Sequence, residues 1–228
     1  MSRHLKKYAA PTSWPVTRKD RVYITKTMPG PHSIQQSLNI ALILKMLGYA
    51  QTTREIKKIL NTKEILVDGR KTKEPKFPAG LLDVLSIPSQ NQQFRIIYDS
   101  KGRLQLAPIK KEEINKKIAK IIGKKALQKG QIQINLSDGR NFITKEKTYN
   151  VGDSLLIEVP SQKIIEHLKL EKGSCIYLTD GKHISETGIA EEITPKIITY
   201  TNAETQKEQT STKYACVVGK KQPIITLK

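Results

Sequence analysis

The stretch that most constrains the fold is TTREIKKILNTKEILVDGR, residues 52–70. Thr52 and Glu55 stand at capping-box spacing, which predicts a helix start. On a helical projection Ile56, Ile59 and Leu60 share one side, and Arg54, Lys57, Lys58 and Asn61 the other. Asn61 to Lys63 is expected to break the helix. Ile65-Leu66-Val67 then reads as a short strand, and Asp68-Gly69 as a tight turn presenting Arg70 and Lys71. Such a unit must bury its apolar side in a core, and it leaves cations and an amide facing outward. That outer face suits a phosphate backbone. It equally describes a solvated helix face beside an ordinary hairpin.

Charge extends the same theme. Forty Lys and Arg stand against 21 Asp and Glu, for a net charge of +19 and a pI near 9.8. Such a chain attracts polyanions, nucleic acid first and an anionic membrane surface second. No apolar run approaches the ~18 residues of a spanning helix. No apolar stretch follows the charged N-terminus, so no secretory signal is expected. Cys175 and Cys216, far apart and without a C-x-x-C, read as reduced thiols. Residues 1–33 carry Arg3, His4, Lys6, Lys7, Arg18, Lys19, Arg21 and Lys26 against Asp20, with four prolines. This arm is expected to lack order by itself. Trp14 within it either stacks on RNA or anchors the arm to its own domain.

Further along, residues 34–48 read as a helix capped by Ser33 and stopped by Gly48. With the helix from Thr53 it makes a helix-turn-helix pair, and Val84 to Ile87 adds a strand. Phe94–Tyr98 and Leu104–Leu106 flank a hairpin turn. Lys110 to Ile122 reads as a helix with Ile114, Ile118, Ile121 and Ile122 on one face. Gln131–Leu136 alternates as a half-buried strand, and Asp138-Gly139 turns it into Asn141–Ile143 with Arg140 exposed beside the turn. Asp153–Val159 is another strand, and residues 163–170 a short amphipathic piece. Together these suggest a half-open β-rich barrel. From residue 171 short strands suggest a small SH3-like barrel, with residues 202–212 a mobile hairpin tip. The histidines are scattered, the glycines fall singly at turns, and no catalytic set, metal set or phosphate cradle is apparent. No cofactor is expected.

Motifs throughout the chain resemble one family. HLKKYAAPTSWP (His4 to Pro15), PGPHS (Pro29 to Ser33), REIKKILNTKEILVDGR (Arg54 to Arg70), KFPAGLLDVLSIP (Lys76 to Pro88) and YDSKGRLQLAPI (Tyr98 to Ile109) carry the first half. INLSDGRN (Ile134 to Asn141), YNVGDSLLIEVP (Tyr149 to Pro160) and CVVGKKQPII (Cys216 to Ile225) carry the second. They are similar to the archaeal and eukaryotic small-subunit ribosomal protein of the S-four-e type, and the compact length resembles its archaeal members. The resemblance implies an α+β, multi-module protein in four parts. These are a basic arm (1–33), an S-four-type RNA-binding module (34–92), a central β-rich half-barrel (93–170) and a KOW-type SH3-like barrel with a basic tail (171–228). It also implies a non-enzymatic constituent of the cytoplasmic ribosome that supports translation. Its partners would be small-subunit ribosomal RNA and neighbouring small-subunit proteins, with no membrane and no small-molecule substrate. The KOW loop departs from the family pattern, with Ser185 where a glycine is usual and Glu186 where a base is usual.

The residues expected at RNA are Arg54, Lys57, Lys58, Asn61, Lys63, Arg70, Lys71 and Lys73 of the module. To these are added Arg3, Lys6, Lys7, Trp14, Arg18, Lys19 and Arg21 of the arm, and Arg140 of the central domain. Cations would neutralise phosphates of RNA read mainly by shape. Two other classes share parts of this sequence. An RNA-modifying enzyme would need a further catalytic domain, and a transcription elongation factor would not need this arm.

Overall fold

The computed structural model describes residues 4–202 and 205–227. Among the described residues the chain is mostly β with two α-helices, and its contacts divide it into two compact units. The first runs to Ile97 and includes Gly102–Asn115; the second holds Tyr98–Lys101 and the chain from Lys116 onward. Among the described residues no helix is long and apolar enough to cross a membrane.

In the first unit, helix α1 spans Ile40–Met46 and α2 spans Thr53–Thr62. The expected single helix over 34–48 is replaced by a 3-10 turn at Ile34–Gln36, a strand at Ser37–Asn39 and then α1. The cause is tertiary. Trp14 Nε1 donates to the carbonyls of Ile34 and Ser37 at 3.1 and 2.9 Å, so both are taken. Ser37–Asn39 pairs with Pro78–Gly80. Asn39, not Ser33, caps α1 by accepting from Leu42 N at 2.7 Å. A five-stranded sheet follows, in the order Arg70–Lys71, Leu66–Val67, Val84–Ile87, Gln92–Tyr98, Leu104–Pro108. Asp68 and Gly69 both take positive φ (50° and 72°), as the two-residue hairpin turn requires.

The arm is not the unordered segment its composition suggests. Leu5–Lys6 pairs with Tyr23–Ile24, and Ala10 and Trp14 are buried. Leu104 N donates to Ser13 O at 2.8 Å, and the Asn39 side chain to Thr25 O at 2.8 Å. One large indole and these shared backbone bonds supply what the charged residues lack.

The second unit contains two five-stranded sheets. The first is ordered Asn141–Thr144, Ile132–Leu136, Lys116–Ala126, Ser154–Glu158, Ile164–Leu168, and forms the half-barrel. Its core joins Ala119, Ile121, Ile134, Leu136, Leu155 and Ile157. The helix expected over Lys110–Ile122 is therefore absent: a 3-10 turn at Lys111–Glu113 leads into an 11-residue strand. Its isoleucines fit a helical face, but they are β-branched, and strands on both edges satisfy the backbone. The second sheet is ordered Lys207–Ser211, Ile197–Asn202, Thr187–Ile193, Cys175–Leu178, Ala215–Gly219. The mobile tip expected over 202–212 is largely strand, since Lys207–Ser211 pairs along Ile197–Thr201; residues 203–204 lie outside the described residues.

Lys120 ties the two sheets of this unit together. Its ammonium donates to the carbonyls of Thr212, Lys213 and Ala215 at 2.8, 2.9 and 2.6 Å, one for each proton. Ser154 Oγ accepts from Val217 N at 3.0 Å beside it. Cys175 and Cys216 are buried free thiols, and burial pushes both up from the ordinary thiol value.

Candidate nucleic-acid interface

Helix α2 is held by its N-terminus and its inner face. Thr52 Oγ1 accepts from Glu55 N at 3.3 Å, and the Glu55 carboxylate accepts from Gln51 N and Thr52 N at 2.9 and 3.3 Å. These bonds lower the Glu55 pKa, the one from Gln51 most. Ile56 and Leu60 are fully buried. Arg54, Lys57, Lys58 and Asn61 are therefore turned outward, and all four are exposed. The helix runs one residue past Asn61 to Thr62, whose hydroxyl donates to Lys58 O at 2.8 Å. Lys63 is the exposed C-cap.

The hairpin beside the helix end is pinned from below. Buried Asp68 accepts from Val84 N at 3.0 Å through its carboxylate and donates its own N–H to Val84 O at 2.8 Å. This leaves Arg70, Lys71 and Lys73 exposed. Lys71 reaches Glu64, just past the C-terminus of α2, at 2.8 Å and holds that carboxyl below its ordinary range. Helix end and hairpin thus share one surface, with one carboxylate set among its cations. The pair is solvent-exposed and contributes little to stability. The arrangement offers several mobile cations on a rigid base. Among the described residues it holds no nucleophile with a matched base.

The chain is similar to known proteins along nearly its whole length. A model of the RS4NT (NUC023) domain matches residues 1–35, and one of ribosomal family S4e matches residues 90–164. The small ribosomal subunit protein eS4 of Methanosphaera stadtmanae is 41% identical over 99% of this chain and 95% of its own length. That of Methanocaldococcus jannaschii is 40% identical, over 99% and 97%. The chain belongs to ribosomal family S4e. The crystal structure of the 30S ribosomal protein S4e from Thermoplasma acidophilum superposes with a TM-score of 0.68 at 30% identity, over 81% of this chain and 94% of that one.

For this S4e chain, the remaining residues expected at RNA separate clearly. Lys6, Arg18, Lys19 and Arg21 are exposed. Arg3 lies outside the described residues. Three expectations are corrected. Trp14 is 2% exposed with its N–H spent on backbone carbonyls, so its ring is an anchor and has no face for a base. Lys7 is buried against Asp20, whose carboxyl it holds below the ordinary range. Arg140 is not exposed: its side chain is 14% accessible, with Nε 3.3 Å from Asp138. Asp138 also takes buried Lys117 at 3.2 Å, so Arg140 belongs to an internal ion-pair network.

Glu186, the unusual acid of the variant loop, turns onto its own sheet. It pairs with His183 Nδ1 at 3.2 Å and accepts from Asn202 Nδ2 at 3.0 Å. His183 Nδ1 also lies 3.0 Å from Glu208, which accepts from Tyr200 OH at 2.6 Å. Burial and these carboxylates push the Tyr200 phenol far up. Cations passed over in the sequence lie elsewhere in the unit: Lys169, Lys172, Lys220 and Lys221 border one groove. A lysine beside a glycine on each side (Lys172-Gly173 and Gly219-Lys220) was the only local signal.

Proposed function

We propose that this chain is a structural, non-enzymatic constituent of the small ribosomal subunit in the cytoplasm. There it binds and stabilises folded ribosomal RNA and lies against neighbouring small-subunit proteins. The observation that carries this is similarity to eS4 proteins at about 40% identity across 99% of the chain. The outward stripe of Arg54, Lys57, Lys58 and Asn61, with Lys63, Arg70, Lys71 and Lys73 beside it, is the principal RNA surface. Lys6, Arg18, Lys19 and Arg21 of the docked arm extend it. Phosphates pair with the cations, and the Asn61 amide bonds sugar or phosphate oxygen.

The four-part layout belongs to the same proposal. Two helices with the first five-stranded sheet support an S-four-type module. The sheet ending in Ala215–Gly219 supports a KOW-type SH3-like barrel. The inward engagement of Glu186 supports a variant loop that packs within that barrel.

Sedimentation of a host lysate at low and high salt tests the assignment. The chain should run with the small subunit and survive the high-salt wash. Migration with free protein or with polymerase refutes it. In isolation, R54A/K57A/K58A should lower the slope of log affinity against log salt by about 2, three contacts on the single-strand coefficient. It should leave the helix content unchanged.

A further inference from the structure

Three side chains outside the cationic surface converge within the second unit. His183, Glu186 and Glu208 bring one ring nitrogen and two carboxylate oxygens within 4.8 Å of one another. His183 Nδ1 lies 3.2 Å from Glu186 Oε1 and 3.0 Å from Glu208 Oε2. None of the three side chains is more than 34% accessible, so they are held against the sheet rather than free in water.

The backbone sets them there. Ser185 N donates to Leu178 O, and Leu178 N to Glu186 O, both at 2.9 Å. Glu186 N donates to His183 O at 3.3 Å and closes a turn that brings both side chains together. Glu208 comes from the edge strand Lys207–Ser211, opposite Tyr200 in the register, while Asn202 stands opposite Gly188. Tyr200 OH donates to Glu208 Oε2 at 2.6 Å, and Asn202 Nδ2 to Glu186 Oε2 at 3.0 Å. Glu186 Oε1 is left to face the imidazole. Only glycine fits at 188, since a Cβ there would fall 2.5 Å from Tyr200 Cδ2 and displace the phenol from the carboxylates.

Charge does not balance inside this set. Among the described residues neither carboxylate pairs with a lysine or an arginine, and one Nδ1 proton cannot serve two carboxylates at once. A divalent cation supplies the missing charge, and the ligand types select it. One imidazole nitrogen with two carboxylate oxygens suits zinc, whereas magnesium and calcium favour oxygen alone. Ligand atoms about 2.0–2.2 Å from a tetrahedral zinc stand roughly 3.3–3.6 Å apart, a few tenths of an ångström from the two separations at Nδ1. Tyr200 and Asn202 orient the carboxylates as hydrogen-bond partners of metal ligands do.

We propose that His183 Nδ1, Glu186 and Glu208 bind one zinc ion, with water in the fourth position, and that the ion clamps the 180–188 loop to the edge strand Lys207–Ser211. This gives a use to Glu186, which stands where the family usually has a base. The site shares no residue with the α2 surface, so either can fail while the other stands.

The test titrates zinc alone into the full chain, stripped by a chelator and kept reduced, with calorimetry, ring-nitrogen signals and amide exchange as readouts. One ion should bind, and the His183 ring nitrogens should shift with it. Zinc at about a hundredfold excess over its Kd should slow amide exchange in Lys207–Ser211 by up to about 100-fold. H183Q and E186Q should lose the ion with unchanged circular dichroism, and Y200F should keep it with roughly tenfold lower affinity. H4Q, at an exposed histidine of the arm, should bind as the wild type does. Zinc bound equally well by H183Q and E186Q lies elsewhere and overturns the assignment. Unchanged His183 ring signals at saturating zinc overturn it in the wild type itself, whatever the variants do. If no ion binds, the three residues form an ion-pair cluster only and the proposal falls.

Discussion

Replacing Trp14 with alanine removes the only indole in the chain from a site where it is 2% exposed. A buried indole keeps roughly 150–250 Å² from water, or about 4–6 kcal/mol at about 25 cal/mol/Å². The unfolded chain already hides part of that area, so the expected loss is about 3–5 kcal/mol. W14F separates the two components. It retains most of the apolar area but removes the N–H that serves Ile34 O and the fully buried Ser37 O. A buried carbonyl left without its donor costs about 1–3 kcal/mol. Urea unfolding followed by far-ultraviolet circular dichroism measures both variants, since neither retains a tryptophan. In the wild type, Trp14 fluorescence should resist quenching by acrylamide without any RNA present. Trypsin should cut at Arg18, Lys19 and Arg21 sooner in W14A than in the wild type. Free quenching of the wild-type indole, or an unchanged urea midpoint in W14A, would refute the view that the arm is docked by its tryptophan.

Two further outcomes follow from the ionisable groups. The folded-state pKa of Glu55 lies below its unfolded value near 4.5, so its contribution is present above that pH and is lost as pH falls through the lower folded value. The drop in urea midpoint between pH 6 and pH 3 should therefore be smaller in E55Q than in the wild type. Lys120 is held cationic among three carbonyls although burial lowers its pKa. K120M should destabilise the second unit by about 2–3 kcal/mol, since it strips three charge-assisted bonds, one of them to the carbonyl of buried Ala215. Amide exchange should show the greatest loss of protection at Ala215 to Gly219.

The sequence by itself determined those elements whose causes are local. The cap at Thr52 and Glu55 and the αL pair at Asp68-Gly69 each lie within four residues of their partners, so α2 and its hairpin could be read directly. The outward face of α2 followed from helical period alone. Near full-length motif resemblance then carried the family. What only the tertiary structure decided depended on distant partners. Ile114, Ile118, Ile121 and Ile122 fit a helix, yet from Lys116 the backbone became strand because Ile132–Leu136 and Ser154–Glu158 flank it. Ser37 could not enter α1 once Trp14, 23 residues earlier, had taken its carbonyl. Lys7 read as a free cation because Asp20, 13 residues on, faces it only in the fold, and Arg140 because only the fold brings Lys117 to Asp138 and closes the ion-pair network there. The groove between Lys172 and Lys221 exists only because Cys175–Leu178 and Ala215–Gly219 are neighbours in one sheet. Charge can be counted along a chain, but whether a cation meets water, a carboxylate or a phosphate is settled by what the fold brings beside it.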